Sequence, residues 1–329
     1  MNPRRKLVLA TGAGALTAPF APWAQQTGRI WRVGFLSQRH IGPLDADFYG
    51  TFPRTMRVLG YVEGKNLVIE WRSAEGRPER LAGLAAELVQ LKVDAIVAAA
   101  PLSVRAAQQA TTTIPIVMGT AGDPVAGGLV KSLARPGGNT TGTSTNSTEI
   151  APKLLEMLLG MQPRLTRVAV VFNPATPGPA LTAGNLQAVA QRVGVTVLPL
   201  EVKTPTEIDA AFALMKRDNA SAFILIQDPL FTPLLRRIAE LAAQHRLPSV
   251  AGLRQYVEAG GLMNYGPSFA DNYRQAAVYV DKIFKGSKPA DLPIEEPVKF
   301  EMFINGTTAK ALGLKIPHAL LISADKVIE

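Results

Sequence analysis

From residue 31 onward, short apolar and β-branched runs alternate with longer segments in which apolar residues recur every three or four positions. The short runs are typical of buried strands, and the longer segments are typical of amphipathic helices. In the first half of the chain this pattern predicts strands over WRVGFLS (31–37), NLVIEWRS (66–73), VDAIVAAA (93–100) and IPIVMGT (114–120), and helices over 46–59, 77–91, 102–110 and a short segment after residue 130. Such alternation indicates parallel strands in a doubly wound sheet.

The same alternation starts again near residue 148 and predicts a second α/β unit of similar size. Its predicted helices cover 148–160, 179–193, 204–218 and 232–246, and its predicted strands are RVAVVFN (167–173), VTVLPLE (195–201), SAFILIQ (221–227), LPSVAGL (247–253) and GLMNYG (261–266). The segment 135–147, rich in Gly, Thr and Asn, is the predicted crossing between the two units.

The remaining tail contains too few elements for a third domain. It predicts a long helix over 269–285, an extended connector, a strand over 298–305 and a helix over 307–313. The chain is therefore expected to return to the first lobe and to cross once more to the second. We expect residues 25–146 and about 266–298 in lobe 1, and residues 147–265 and about 299–329 in lobe 2. The predicted fold class is α/β, with two doubly wound parallel-sheet lobes joined by a multi-crossing hinge.

The N-terminus has the organisation of a secretory signal peptide. Arg4, Arg5 and Lys6 form a basic start, an apolar stretch rich in small residues follows, and Ala24 precedes two glutamines. We expect cleavage after Ala24 and a periplasmic mature protein. The paired arginines also suit twin-arginine export, and the sequence leaves the two export routes open.

Composition excludes several kinds of site. The chain has no cysteine, so disulfides and thiolate metal sites are absent, and its three histidines lie far apart without metal-ligand spacing. No metal or cofactor is expected. The signal peptide accounts for three of the positive charges behind the formal net charge of +9, and the others form no basic stripe interleaved with aromatic residues. Nucleic-acid binding is therefore not expected, and a monomer is the default.

The loop GTAGDPVAGGLV (119–130) nearly matches a phosphate-binding P-loop. Gly122 and Gly127 have the required separation, but Gly128 stands where a lysine belongs, and Asp123 would repel phosphate. The loop is better interpreted as a turn from a strand into the next helix.

In open α/β sheets, ligands bind beyond the carboxyl ends of the strands, so a site is expected in the cleft between the lobes. Ser103, just after Pro101 at the start of a helix, suits a carboxylate, and Asp228 suits an ammonium or a ring N–H group. Both Asp123 and Asp228 precede a proline, and capping of the following helix remains an alternative for each. The candidate ligand-binding residues are Ser37, Pro101, Leu102, Ser103, Asp123, Asn146, Asn173, Asp228 and Tyr265, with Arg57 and Phe231 as further possibilities.

Five segments carry a resemblance to a known family: LGYVEGKNLVIEWRSAEGRPERL (59–81), IPIVMGTAGDPVAGGLVKSLARPGGNTTG (114–142), AELAAQHRLPSV (239–250), EAGGLMNYGPS (258–268) and AKALGLKIP (309–317). In order and spacing they resemble the ABC-transporter substrate-binding proteins related to the tryptophan/tyrosine-type binding proteins. This resemblance implies a type I periplasmic-binding-protein fold with three crossings. It also implies a small-molecule ligand, such as an aromatic amino acid or a related carboxylate, and a membrane permease as partner.

Two other functions remain to be weighed against a solute receptor. A two-domain α/β enzyme would act on a small polar substrate in the same cleft, with Asp123 and Asp228 as paired carboxylates. However, the chain has no G-x-S-x-G nucleophile elbow and no histidine at a strand end. The effector domain of a transcriptional repressor would need a helix-turn-helix before residue 31, where the signal peptide stands.

Overall fold

The computed structural model describes residues 29–41, 49–145, 147–176 and 178–329. In these ranges the chain forms two separate sheets. The first sheet has the strand order β2-β1-β3-β4-β5, and all of its neighbouring strands are parallel. Its strands are β1 (Trp31–Ser37), β2 (Leu67–Ser73), β3 (Ala95–Ala98), β4 (Ile116–Met118) and β5 (Thr140–Gly142). Helices α1 (Thr51–Val58), α2 (Leu81–Gln90) and α3 (Pro101–Ala110) connect the first four strands.

The second sheet has the order β12-β11-β10-β9-β8-β6-β7, and within it β10 and β11 are antiparallel. Its strands are β6 (Arg167–Phe172), β7 (Thr196–Glu201), β8 (Ala222–Leu225), β9 (Ser249–Ala251), β10 (Met263–Pro267), β11 (Phe300–Asn305) and β12 (Lys326–Ile328). The helices of this half of the chain are α4 (Ser147–Met161), α5 (Pro179–Arg192), α6 (Ile208–Arg217), α7 (Leu235–Gln244), α8 (Arg254–Glu258), α9 (Phe269–Phe284), α10 (Gly306–Ala311) and α11 (His318–Ser323).

Each sheet is buried on both faces, which explains the apolar runs in the sequence. Strands β3 and β8 read AIVA and AFIL, and every residue in them is buried. A parallel sheet between two helical layers requires apolar side chains on both sides of its central strands. On the first sheet, one core layer includes residues of α1 and α9, and the opposite layer includes residues of α2 and α3. We call each sheet with its packed helices a lobe, so that α9 belongs to the first lobe.

Along the described residues the chain passes between the lobes in three segments. The first follows β5, the second joins β10 to α9, and the third joins α9 to β11. The first and third segments are paired, because the N–H of Ser144 donates to the carbonyl of Glu295 and the N–H of Glu295 donates to Gly142. The N–H of Ser268 in turn donates to the carbonyl of Lys299. These hydrogen bonds combine the three segments into one hinge.

The predicted helix after residue 130 is wrong. Residues 129–139 contain no helix, and Lys131 is exposed in an irregular segment. Gly128, Gly137 and Gly138 all have positive φ, and Pro136 lacks an N–H, so a helix cannot continue here. The predicted helix over 46–59 begins at Thr51 among the described residues, and β5 lies inside the predicted crossing. The elements α8, α11 and β12 were not predicted.

The backbone of Gly266 in β10 lies close to the backbone of Gly252, and this packing can be tested by substitution. A Cβ added to Gly266 in β10 would lie 2.1 Å from the carbonyl oxygen of Gly252, which no side-chain rotation relieves. We expect Gly266→Ala to lower the free energy of unfolding by about 1–3 kcal/mol in urea titrations of the protein. The matched control is Gly184→Ala inside α5, where a Cβ meets no atom within 4 Å. That control should raise the stability by about 0.5–1 kcal/mol. A Gly266→Ala variant as stable as the parent chain would contradict this approach.

Candidate functional site

A cavity of about 70 Å³ lies between the lobes at the carboxyl ends of the strands. This is the place where open α/β sheets bind ligands. Residues of the first lobe line it from one side: Arg39, Tyr49, Ala99, Ala100, Pro101, Thr120 and Gly122. Residues of the second lobe line the other side: Thr176, Pro179, Thr182, Ile226, Gln227, Asp228, Pro229, Thr232 and Leu253. Thr145 from the first crossing and Phe269 and Tyr273 from α9 complete the lining.

Aromatic side chains form the first-lobe wall of the cavity. The rings of Tyr49 and Tyr273 meet edge to face, with centroids 5.0 Å apart and an interplanar angle of 87°. The Tyr273 hydroxyl donates to the carbonyl of Ala99 at 3.3 Å, and burial raises its pKa well above the usual value. The hydroxyl therefore stays neutral near pH 7. Together with Phe269, these rings supply an apolar wall of ring faces and edges suited to an aromatic or aliphatic group.

Asp228 supplies the buried negative charge of the cavity. It follows β8, and only 1% of its surface is exposed. Its Oδ1 accepts hydrogen bonds from Nδ2 of Asn173 at 3.0 Å and from the N–H of Leu230 at 2.9 Å. Its Oδ2 is buried and has no hydrogen-bond partner among the described residues. Burial raises the pKa of the Asp228 carboxyl above its ordinary value, and hydrogen bonds from Asn173, from the Thr176 hydroxyl and from the N–H of Leu230 oppose that rise. A buried carboxylate oxygen without a donor is costly, and a ligand that carries N–H donors removes that cost.

Asn173 fixes the orientation of this carboxylate. Its Nδ2 donates to Asp228 and also lies 3.3 Å from the hydroxyl of Thr176. Its Oδ1 accepts from the N–H of Ala175 at 3.0 Å, which settles which end of the amide points at the acid. Asn173 therefore stands behind Asp228 and holds its Oδ1.

Arg39 supplies a positive charge from the opposite lobe. Its backbone carbonyl accepts hydrogen bonds from the hydroxyls of Ser37 and Ser73, each at 2.9 Å. Its Nε donates to the hydroxyl of Tyr49 at 3.0 Å, and its guanidinium carbon lies 4.8 Å from the centroid of the Tyr49 ring. Ser37 Oγ is also 3.1 Å from the Tyr49 hydroxyl. The segment after β1 thus places a cation at the cavity.

The start of α3 forms the floor of the first-lobe side. Ala100 is extended and Pro101 occupies the first helical position, so the helix begins at the cavity. Ser103 is fully buried, and its hydroxyl has no partner among the described residues, but it does not line the cavity. Leu102 packs against the core between the first sheet and α2.

The structure therefore separates the residues predicted from sequence into three groups. Pro101 and Asp228 line the cavity, and Ser37 and Asn173 lie behind it, bonded to residues that do. The others that the structure describes lie elsewhere, namely Leu102, Ser103, Asp123 and Tyr265. Asn146 lies outside the described residues. Which of these residues contact ligand stays a prediction.

Two placements differ from the expectation for physical reasons. Asp123 caps its own turn, because its Oδ1 accepts from the N–H groups of Val125 at 3.0 Å and Ala126 at 2.9 Å. Tyr265 lies inside β10 opposite Met302, and its ring stacks on Phe300 with centroids 5.5 Å apart. Of the further candidates, Arg57 is exposed on α1 and Phe231 is a core residue of the second lobe.

Several lining residues carry no signal in the sequence that would single them out. Tyr273 and Phe269 belong to an amphipathic helix that lies between β10 and β11 in the chain. Its return to the first lobe was expected, but nothing local indicates that these two residues face the cavity. Arg39 lies just after β1 and Tyr49 just before α1, and neither is part of a helix or strand. The lining also includes Thr145, Thr176, Thr182 and Thr232, and a short polar side chain of this kind does not by itself indicate a ligand site.

The described ranges contain no group of three or more His, Cys, Asp or Glu side chains placed to hold a metal ion. In the same part of the chain, none of the helices has the length and apolar character needed to cross a membrane.

The raised pKa of Asp228 makes the stability of the ligand-free protein pH-dependent. Since the folded state binds this proton more tightly than the unfolded state, stability falls as pH rises from the unfolded pKa through the folded pKa. Asp228→Asn keeps an acceptor for Asn173 and Leu230 but carries no charge. We expect the variant to have a higher melting temperature than the parent chain at pH 7, and the difference to vanish below about pH 3. Thermal unfolding of both proteins across this range measures it, and a pH-independent difference would contradict the assignment.

For Asp123, the other aspartate that precedes a proline, the structure leads us to expect a different outcome from that at Asp228. Asp123→Ala removes two hydrogen bonds in a half-exposed turn, so the free energy of unfolding should fall by on the order of 1 kcal/mol. Ligand affinity should stay within about twofold of the parent value, because the carboxylate does not line the cavity. Chemical unfolding and calorimetric titration measure the two quantities. A large loss of affinity with unchanged stability would return Asp123 to the site.

Comparison with known proteins agrees with this architecture. Residues 44–328 match the family model described as ABC transporter substrate binding protein. The tyrosine-binding protein of Clostridioides difficile (strain R20291) is 26% identical over 276 residues, which is 84% of this chain and 78% of that protein.

Two solved structures are also similar. One is the ABC domain in complex with L-Trp from Streptococcus pneumonia, with a TM-score of 0.84, 24% identity, and coverage of 91% of this chain and 99% of that one. The other is a ligand-free, open substrate binding protein with adhesive properties from Clostridium difficile, with a TM-score of 0.68, 25% identity, and coverage of 91% and 99%. The predicted type I periplasmic-binding-protein fold and the predicted family are confirmed. The chain belongs to the family of ABC transporter substrate-binding proteins.

Proposed function

We propose that this protein is the exported receptor of an ABC importer, and that it captures an aromatic amino acid in the cavity between its lobes. The observation that carries the proposal is Asp228, whose Oδ2 is buried at the cavity without a hydrogen-bond partner among the described residues. An ammonium group donates up to three hydrogen bonds and carries the opposite charge, so it satisfies this oxygen fully. A neutral sugar hydroxyl would leave the charge of the buried carboxylate uncompensated.

Two observations support an aromatic ligand: the residues of the cavity wall and the ligands of similar proteins. Tyr49, Phe269 and Tyr273 offer ring faces and edges on the first-lobe side, and Leu253 and Ile226 offer aliphatic contacts on the second. An aromatic ligand ring packs favourably against such a wall. One relative is named a tyrosine-binding protein, and another was solved with L-Trp.

We infer that the lobes of this structure are arranged as in a closed receptor. The TM-score is 0.84 to the complex with L-Trp and 0.68 to the ligand-free, open protein, although identity and coverage are nearly equal for the two. Closure brings the charges of Arg39 and Asp228 to one cavity from opposite lobes. A ligand that bridges them stabilises the closed form over the open one.

The setting of the receptor is part of the same proposal. The signal peptide is removed after Ala24, and the mature chain works outside the cytoplasmic membrane as a monomer that delivers ligand to a membrane permease. We propose lobe boundaries at residues 25–146 with about 266–298, and 147–265 with about 299–329. Residues of α9 pack in the core of the first lobe, which supports this division.

The first test is ligand binding by the mature chain, residues 25–329. Thermal shift followed by calorimetry with L-tryptophan, L-tyrosine and L-phenylalanine should identify at least one ligand, and 100 times the dissociation constant of ligand stabilises the fold by about 2.7 kcal/mol. Asp228→Asn should weaken binding by about tenfold or more, since a charge-assisted hydrogen bond is lost. The control variant is Lys131→Ala, which alters an exposed residue away from the cavity and should bind as the parent chain does.

The results also separate a receptor from an enzyme in the same cleft. A receptor binds one molecule of ligand per chain and releases it unchanged, which chromatography of the recovered ligand measures. Conversion of the ligand would contradict the receptor. Binding that is unaffected by Asp228→Asn would contradict the role of this carboxylate, whichever ligand is found.

A further inference from the structure

We propose that Gly119, directly after β4, determines the size of the ligand ring that the cavity accepts, because its lack of a side chain makes room for the ring of Tyr273. This inference deepens the proposed function and rests on it, since it concerns which aromatic amino acids fit between the lobes. Tyr273 lines the cavity, whereas Gly119 does not. The glycine is therefore a positioning residue, which acts on the ligand through the tyrosine ring.

The ring of Tyr273 occupies the place where a side chain of residue 119 would begin. A Cβ added to Gly119 would lie 2.5 Å from Cε1 of Tyr273 and 3.1 Å from both Cδ1 and Cζ. Carbon atoms in favourable contact are about 3.5–4.0 Å apart, so all three distances are too short. The backbone itself does not require glycine here, because Gly119 is not among the described glycines with positive φ. What excludes a side chain at this position is the tyrosine ring.

The backbone of Gly119 is held from two sides and cannot move away from the ring. Its N–H donates to the carbonyl of Ala98 at 3.0 Å, which extends the pairing of β4 with β3. Its carbonyl accepts hydrogen bonds from the hydroxyl of Thr143 at 2.6 Å and from Nδ2 of Asn272 at 3.2 Å. A side chain at position 119 therefore has to displace the ring of Tyr273 and not the backbone of β4.

The displaced ring has space on the side of the cavity. Tyr273 is buried, and its ring lies 5.0 Å from the ring of Tyr49 and 5.8 Å from that of Phe35, measured between centroids. Tyr49 and Phe35 are themselves buried, and packed interior side chains resist displacement because few voids surround them. The cavity that the ring lines is a void of this kind. A methyl group on residue 119 would push the ring into the cavity and reduce the space for a ligand ring.

The experiment compares ligands of increasing ring size. Calorimetry is carried out with L-phenylalanine, L-tyrosine and L-tryptophan on the parent protein and on its Gly119→Ala, Tyr273→Leu and Gly83→Ala variants. We expect Gly119→Ala to weaken L-tryptophan by about tenfold or more relative to L-phenylalanine, since a pocket discriminates by about this factor for one carbon. Tyr273→Leu shortens the same wall and should shift the ratio toward L-tryptophan. Gly83→Ala, where an added Cβ meets no atom within 4 Å, should leave the ratio unchanged.

The double variant Gly119→Ala/Tyr273→Leu tests whether the glycine acts through this ring. Leucine has no atoms in the places of Cε1 and Cζ, so in this background Gly119→Ala should have little effect on the ligand ratio. Thermal unfolding of the same four proteins without ligand tests the contact separately. Gly119→Ala should lower the melting temperature of the parent protein, and the loss should be much smaller beside Tyr273→Leu, because residues in contact are coupled. A Gly119→Ala chain that fails to fold should fold again as the double variant.

Other outcomes overturn the inference in distinguishable ways. If Gly119→Ala weakens the three acids equally, or keeps its full effect beside Tyr273→Leu, the glycine does not set ring size through Tyr273. If Tyr273→Leu leaves the ratio of L-tryptophan to L-phenylalanine unchanged, the tyrosine ring does not limit the ligand. Binding of none of the three acids by the parent protein overturns the proposed aromatic ligand together with this size selection. The unfolding measurements then still show whether the contact between the two residues exists.

Discussion

The side-chain amide of Asn272 connects the parts of the molecule that meet at the hinge. It is 4% exposed, and its Nδ2 lies within hydrogen-bond distance of three oxygens: the carbonyl of Gly119 at 3.2 Å, the hydroxyl of Thr143 at 3.1 Å and the carbonyl of Ser144 at 3.0 Å. An amide nitrogen has two hydrogens, so the three acceptors share them. The interaction joins the end of β4, the first crossing segment and the first turn of α9. Without it, the carbonyl of Ser144 would lose this donor at a cost of about 1–3 kcal/mol, whereas the carbonyl of Gly119 would still accept from the hydroxyl of Thr143.

The same turn of α9 carries Phe269 and Tyr273 to the cavity, and Thr145 follows directly in the crossing segment. Ligand contacts and hinge contacts are therefore made by neighbouring residues of one backbone. A movement of the lobes that displaced the crossing segment relative to α9 would break the bonds of Asn272 and open the aromatic wall at once. Because a packed junction of this kind has few intermediate arrangements, opening and closing are expected to occur as motions of whole lobes about the hinge.

The carboxylate of Asp228 is placed in a way that is unfavourable without ligand. Asp228 is buried with one oxygen unsatisfied by any described residue, and its pKa is raised as a consequence. Such a group lowers the stability of the ligand-free closed form and raises the gain when a cationic group arrives. A receptor has to release its ligand as well as bind it, so a closed state that is costly when empty is useful. The destabilised carboxylate and the binding activity are two aspects of one arrangement.

How far the sequence predicts this molecule depends on whether the deciding interactions are local. Apolar runs such as those of β3 and β8 predicted the sheets, because both faces of a central parallel strand must be apolar. The rule that ligands bind at the carboxyl ends of strands predicted the place of the cavity. It did not predict Tyr273, which reaches the cavity only because α9 leaves the second sheet and packs on the first. The small number of elements in the tail predicted that return, but which residues of α9 face the cavity is settled by tertiary packing. The antiparallel partner strand β11 likewise keeps Tyr265 inside a strand.

The two Asp-Pro sequences show where local reasoning ends. Both aspartates follow the strand-end region of a sheet, and in both an Oδ1 accepts a backbone N–H two residues further on. At Asp123 the same oxygen also accepts from the next N–H along the chain, so its interactions are all within one turn. At Asp228 the second donor is Asn173, which comes from the end of the neighbouring strand β6 and is 55 residues away in sequence. This long-range donor holds the carboxylate in the buried space between two strand ends and leaves Oδ2 at the cavity. Identical dipeptides thus acquire different roles from the presence or absence of one amide on an adjacent strand.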